Sequence, residues 1–150
     1  MFEMKMTALW GDMDFNAHMR NTAYMDTAAD VRMMYFATHG FPMDEFRRLN
    51  IGPVVTKDEM EYFREMHLLD EGRVTLELAG MSVDGSRFII RNVIFRGETL
   101  VARVTSAVGW LDLNFRRWVV PPKDLLAVMQ TMPRIAEFVE LPSGLLRRSG

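Results

Sequence analysis

At 150 residues, with 49% apolar and 25% charged side chains, the chain has the balance of one soluble globular domain, which excludes wholesale disorder. A net charge of −2 leaves no basic footprint for nucleic acid, and the absence of cysteine excludes disulfides, thiolate nucleophiles and Cys-ligated zinc. The charged start Met1-Phe2-Glu3-Met4-Lys5 does not read as a signal peptide and no apolar run is long enough to span a bilayer, so a cytoplasmic protein is expected.

In chain order, residues 4–10 alternate weakly and predict a short first strand. Tyr24, Thr27, Ala28, Val31, Met34, Tyr35 and Thr38 then recur at helical spacing and predict a helix over 21–39, about five turns long. Asn21 is its expected N-cap and Gly40 its left-handed stop. Ala23, Ala28 and Ala29 let it lie close to a sheet. Pro42–Leu49 reads as a compact second helix, with acids early and arginines late to suit its dipole. Val54–Met66, Arg73–Val83, Phe88–Phe95 and Leu100–Leu113 are strand-like, and Asp84-Gly85 marks a tight hairpin between two of them. Lys123–Met132 predicts a short terminal helix, a further helical turn is expected beyond Pro133, and 141–150 reads as a loose tail. The layout is a single α+β domain over 1–150. A long helix covers only one face of a five-stranded sheet, so the sheet is expected to curl around the helix or to meet a partner, and its long edge invites a homodimer.

The most polar stretch is Trp10-Gly11-Asp12-Met13-Asp14-Phe15-Asn16-Ala17-His18-Met19-Arg20-Asn21, a turn placed just before the long helix. A calcium loop fails here, because Ala17 stands at the glycine position and Ala23 at that of the bidentate glutamate. A serine hydrolase fails for want of Gly-x-Ser-x-Gly, and zinc fails because only His18 of the three histidines sits among acids. What remains is a carboxylate beside the amides of a helix start, an arrangement able to activate water and hold an oxyanion, or simply to cap a turn. His39 reads as a helix-end residue and His67 as a strand-end residue, neither with a role. The paired Arg116 and Arg117 read as solvated loop cations, or as partners for phosphate groups of a ligand.

Residues 10–24 resemble the signature of hotdog-fold acyl thioesterases, Asp-x-Asp-x-Asn-x-His-Val-Asn-Asn-x-x-Tyr, best seen in plant acyl-carrier-protein thioesterases and related to 4-hydroxybenzoyl-CoA thioesterase-like proteins. Asp12, Asp14, Asn16, His18, Asn21 and Tyr24 fall on it, while Met19 stands for Val and Arg20 for the first Asn of the pair. Glu61-Tyr62-Phe63-Arg64-Glu65-Met66 is similar to the Glu-Tyr-Arg-Arg-Glu-Cys strand of the plant enzymes, with Met66 in place of the thiol. The resemblance implies a hotdog fold, a long central helix wrapped by a five-stranded antiparallel sheet with a short C-terminal helix. It implies hydrolysis of an acyl-CoA or acyl-carrier-protein thioester without metal or cofactor, by a homodimer or dimer of dimers.

By the same resemblance Asp14 is the general base or nucleophile, Asn16 orients water or substrate, and His18 supports the site. Glu65 is a second acid, Met19, Asn21 and Tyr24 are substrate-side positions (Tyr24 also helix–sheet packing), and Arg32 makes a structural ion pair. Two other functions fit the resemblance less well. A hotdog 3-hydroxyacyl-CoA dehydratase has one more residue between Asn and His and a Pro that is missing here. A non-catalytic acyl-CoA-binding hotdog protein would not need the site residues retained together. The 14 methionines read as adaptable core filler, or as a plastic tunnel for an acyl chain.

Overall fold

The structure, a computed structural model, describes residues 2–145. In chain order these form β1 (Phe2–Thr7), a 3-10 turn (Trp10–Asp12), α1 (Asn21–Thr38), α2 (Met43–Leu49), β2 (Ile51–Tyr62), β3 (Glu71–Ser82), β4 (Arg87–Arg96), β5 (Thr99–Asp112), β6 (Arg117–Trp118), α3 (Lys123–Gln130) and β7 (Arg134–Leu141). The main sheet runs β1-β3-β4-β5-β2, antiparallel throughout, with β6 paired to β5 and β7 to β3. The expected five strands are therefore present, and two more pairings extend them. No helix among the described residues is long and apolar enough to cross a membrane.

α1 lies against the inner face of the sheet because one stripe of it is apolar. Ala23, Tyr24, Ala28, Val31, Tyr35 and Phe36 are buried, whereas Met34, Ala29 and Thr38, expected on that stripe, face outward. Inward side chains of β3, β4 and β5 form one core with this stripe, among them Leu76, Leu78, Phe88, Ile90 and Val108. Trp110 is fully buried at the far end. Its ring stacks on Phe46, takes the edge of Phe36, and donates from Nε1 to the Met129 sulfur at 3.3 Å. Arg32 crosses from α1 into the sheet. Its Nε donates to Asn92 Oδ1 at 2.8 Å and its Nη2 to Ser106 Oγ at 2.9 Å, so the expected ion pair is a hydrogen-bonded network that reaches Asp58 only through Ser106. α2 is set by Pro42 before its first turn, by the Arg48–Glu45 pair, and by Asn50, whose left-handed φ of 54° turns the chain into β2.

Four expectations from the sequence are corrected. β1 ends at Thr7, and residues 10–12 turn instead of continuing the strand. The N-cap of α1 is Arg20, while Asn21 is already helical and no side chain caps the first turn. β2 stops at Tyr62, because the amides of Phe63 and Arg64 both bend to the Val101 carbonyl (2.8 and 3.1 Å), so Glu65 lies in a connection and not on a strand. The segment beyond Pro133 is a strand parallel to β3, not a helical turn.

The presumed tail is also partly fastened. Asp84, in the β3–β4 hairpin, accepts from Ser143 Oγ (2.5 Å), Ser82 Oγ (2.7 Å), Ser86 Oγ (2.7 Å) and Ser86 N (3.0 Å), and Gly144 N donates to Ser86 Oγ. The remainder of that expected tail, 146–150, lies outside the described residues. Burial pushes the Asp84 carboxyl up, but the serine donors outweigh it and hold it down at about 2. A carboxyl lowered by folding contributes stability that is present above its ordinary value of 3.8 and lost as pH falls toward about 2. Asp84→Ala is expected to lower stability at pH 7 by about 2 kcal/mol, with the difference from wild type shrinking below pH 4, as read from urea midpoints across pH.

Candidate active site

The turn before α1 is a closed loop. Met13 and Met19 bridge across it, the Asp14 amide donates to the His18 carbonyl at 2.7 Å, and the Ala17 amide returns to the Asp14 carbonyl at 3.1 Å. Ala17 adopts a left-handed φ of 61° to make this reversal. The Asp14 side chain fixes the loop, since its Oδ1 accepts from the amides of Asn16 (2.8 Å) and His18 (3.0 Å). Asp12 does the same for the preceding turn, taking the Leu9 amide on Oδ2 while its carbonyl takes the Arg20 amide. Arg20 braces both ends, donating to the Gly11 carbonyl and to Thr22 Oγ1. The acids therefore serve the turn as well as facing solvent, and Asp14 and Asn16 are exposed.

The fold brings Glu65 to this loop from the other side of the sequence. Met19 N donates to Met66 O at 2.7 Å, His18 bridges His67, and the two imidazoles pack edge to face with centroids 4.9 Å apart. The Glu65 carboxylate is held below the usual range first by its own backbone amide, against desolvation, and then by the nearby His18, His67 and Arg96. The Tyr62 hydroxyl donates to the Asn21 carbonyl at 3.2 Å, which ties the end of β2 to the start of α1. No side chain caps that start; the Ala23 amide turns back to the Arg20 carbonyl at 3.0 Å, and the positive end of the helix dipole points out of the same end.

Asp14, Asn16, His18, Asn21 and Glu65 thus share one exposed corner of the molecule. Met19 and Tyr24 do not join them, being buried in the core. Burial pushes the Tyr24 phenol up, with the Met66 backbone pulling the other way, and its ring packs against Tyr62 at 5.7 Å. Sequence reasoning missed His67, Asp70 and Arg96. Asp70 accepts from His67 N at 2.9 Å and lies 3.6 Å from its Nδ1, and Arg96 Nη1 donates to the Glu65 carbonyl at 2.6 Å. No motif carries these three residues; only long-range pairing assembles them.

Large apolar side chains frame the corner. Trp10 is 80% exposed, Phe15 at the loop tip is fully exposed, and Leu9 and Leu69 are largely so. Farther along α1 an apolar groove of about 480 Å³ opens between α1, α2 and the start of β2, walled by Met33, Phe36, Phe46, Pro53 and Val55, with Arg32 on its lining. Ala29, the nearest lining residue on α1, is eight positions beyond Asn21, about 12 Å along the helix axis. No group of three or more His, Cys, Asp or Glu among the described residues is arranged to hold a metal ion.

The family model of the thioesterase-like superfamily matches residues 8–142. No curated protein matches the chain. Among solved structures, a hypothetical protein from Staphylococcus aureus in complex with CoA aligns with a TM-score of 0.81 at 20% identity, covering 99% of this chain and 94% of that one. A 1,4-dihydroxy-2-naphthoyl-CoA thioesterase from Synechocystis aligns at 0.77 with 14% identity, covering 87% and 96%. A probable thioesterase from Escherichia coli aligns at 0.70 with 18% identity, covering 88% and 98%. At these identities the likeness is one of fold.

Proposed function

Because the chain belongs to the thioesterase-like superfamily and has its hotdog fold, we propose that it hydrolyses acyl thioesters of coenzyme A or of an acyl-carrier protein, through the corner built by Asp14, Asn16, His18 and Glu65. The observation that carries this reading is the meeting of the Asp14 loop with Glu65, through the His18–His67 contact, at the uncapped start of α1. In this mechanism Asp14 takes a proton from water, and the water oxygen bonds to the thioester carbon. The charge passes to the carbonyl oxygen, where amides at the start of α1 receive it. Collapse breaks the carbon–sulfur bond, and the departing thiolate takes up a proton to leave a free acid and a thiol. Asn16 orients the water or the carbonyl, and His18 supports the acids.

Two copies joined along the free edge of β2 form the working unit. β2 ends the sheet order and its outer edge can pair with a twin, and the apolar groove beside it, between α1, α2 and β2, is the part of the chain suited to receive the acyl group. The nearly all-apolar walls fit an aliphatic chain or an aromatic ring. A screen of acetyl-, octanoyl-, palmitoyl- and benzoyl-CoA for thiol release tests the reading, and background rates for all four, with octanoyl-carrier protein also inert, would overturn it. Met33→Trp, which fills the groove, is expected to lower kcat/KM for octanoyl-CoA more than tenfold relative to acetyl-CoA; an unchanged ratio would place the acyl group elsewhere.

A further inference from the structure

We propose that Arg96 is the positioning residue for the second acid of this site: its guanidinium fastens the Glu65 carbonyl and the Asp70 carboxylate together, and so fixes the connection between β2 and β3 with Glu65 turned toward the two imidazoles. The inference rests on the hydrolase reading for its kinetic consequence alone. Arg96 ends β4, and its Nη1 reaches Glu65 O at 2.6 Å and Asp70 Oδ2 at 3.5 Å. Asp70 is anchored in turn by the His67 amide at 2.9 Å, and its carbonyl accepts the Ala8 amide at 2.9 Å.

Residues 63–70 run between strands, so these tethers do the work that a sheet ladder would do elsewhere. Within the segment Leu69 holds a left-handed φ of 69° although it is not a glycine, a conformation that persists only where neighbours impose it. The Leu69 amide is bound by Ala8 O at 2.7 Å. On the Arg96 side no ladder bond holds the Glu65 carbonyl, and the guanidinium takes that place.

The charged groups that act on the Glu65 carboxylate are His18 from the loop before α1, His67 from the same connection and Arg96 from β4, while the buried Tyr24 phenol of α1 is close enough to be pushed up by it. The three basic groups favour the ionised carboxylate, and Arg96 does so while also holding the backbone. The direct pull of Arg96 is the smallest of these, so its loss acts on the Glu65 titration chiefly by releasing the connection that sets the Glu65 amide and the two imidazoles beside the carboxylate, which lets the carboxyl move up toward its ordinary value. A packing role alone would lower stability without altering that titration.

The test compares wild type, Arg96→Gln and Arg96→Lys in two ways. First, the Glu65 carboxyl is titrated by carbon NMR on selectively labelled protein, a readout that needs no turnover. Its midpoint is expected to rise in Arg96→Gln and to stay near wild type in Arg96→Lys, and an unmoved midpoint in Arg96→Gln overturns the proposal. Second, thiol release from the best substrate of the screen is measured with and without Glu65→Gln. Arg96→Gln is expected to cut kcat about tenfold or more with KM little changed, and to add nothing once Glu65 is already Gln. An equal loss in the Glu65→Gln background overturns it. If wild type hydrolyses nothing, the hydrolase reading falls while the titration still decides the role of Arg96. If Arg96→Gln does not fold, a wild-type titration midpoint and near-wild-type KM in Arg96→Lys support the proposal, and a shifted midpoint there overturns it.

Discussion

Asp14→Asn is expected to abolish most thioester hydrolysis, lowering kcat about a hundredfold or more, while leaving the thermal midpoint where it is. The asparagine is the informative substitution because of the loop geometry. Asp14 Oδ1 accepts the amides of Asn16 and His18, and a carboxamide oxygen can keep both bonds while losing the charge and the ability to take a proton. Asp14→Ala removes the acceptor too, so it is expected to show the same kinetic loss together with a loosened loop and a lower midpoint. Steady-state kinetics and melting curves on the two variants separate chemistry from scaffold. An Asp14→Asn protein with turnover near wild type would remove the base from the mechanism and leave the residue as a turn-former.

Arg32→Ala is expected to cost about 3 kcal/mol of folding free energy, among the largest effects of any single truncation outside the aromatic core. The guanidinium joins α1 to two sheet strands through Asn92 and Ser106, and both of those side chains are completely buried. Removing it leaves the Asn92 carbonyl oxygen without its donor, while Asn92 Nδ2 stays on the Thr75 carbonyl and cannot turn away cheaply. Burial pushes the Arg32 guanidinium down to about 10, with Asp58 acting the other way, so it is still charged near neutrality. Arg32→Met restores most of the volume but no donor and is expected to be nearly as costly. Urea midpoints read both losses, and a shift worth under 1 kcal/mol for each would show that the network contributes little.

The long helix, the four strands β2 to β5 and the hairpin at Asp84-Gly85 were legible because the helix spaces its apolar residues by turns, the strands are rich in Val, Ile and aromatics, and one dipeptide marks the turn. β7 was not legible for the same reason. Its more buried residues, Ile135, Phe138 and Leu141, recur every third position, as on a helix. The strand departs from regular pairing between Leu78 and Gly80, and this irregularity breaks the alternation that would have announced it. The end of β2 misled for a different cause. Residues up to Met66 keep a strand-like composition, and only the carbonyl of Val101, far along the chain, draws the chain out of the sheet.

The candidate site divides along the same line. Asp14, Asn16 and His18 stand in one turn and could be read together, and a likeness of motif added Glu65. Arg96, His67 and Asp70 reach that corner through contacts that no local pattern encodes. Met19, in the bridge before α1, and Tyr24, on the helix, followed the motif in position, but both side chains point into the interior.

β3 is bordered by both ends of the chain. Phe2 pairs with Leu76 on its first half, and Arg134 with Leu78 at the start of its second. The central ladder β4–β5 is local and can zip early, whereas the outer side of β3 waits for segments more than fifty residues away in either direction. Folding should therefore end with the docking of the two terminal strands, and amides of β1 and β7 should exchange with deuterium well before those of β4.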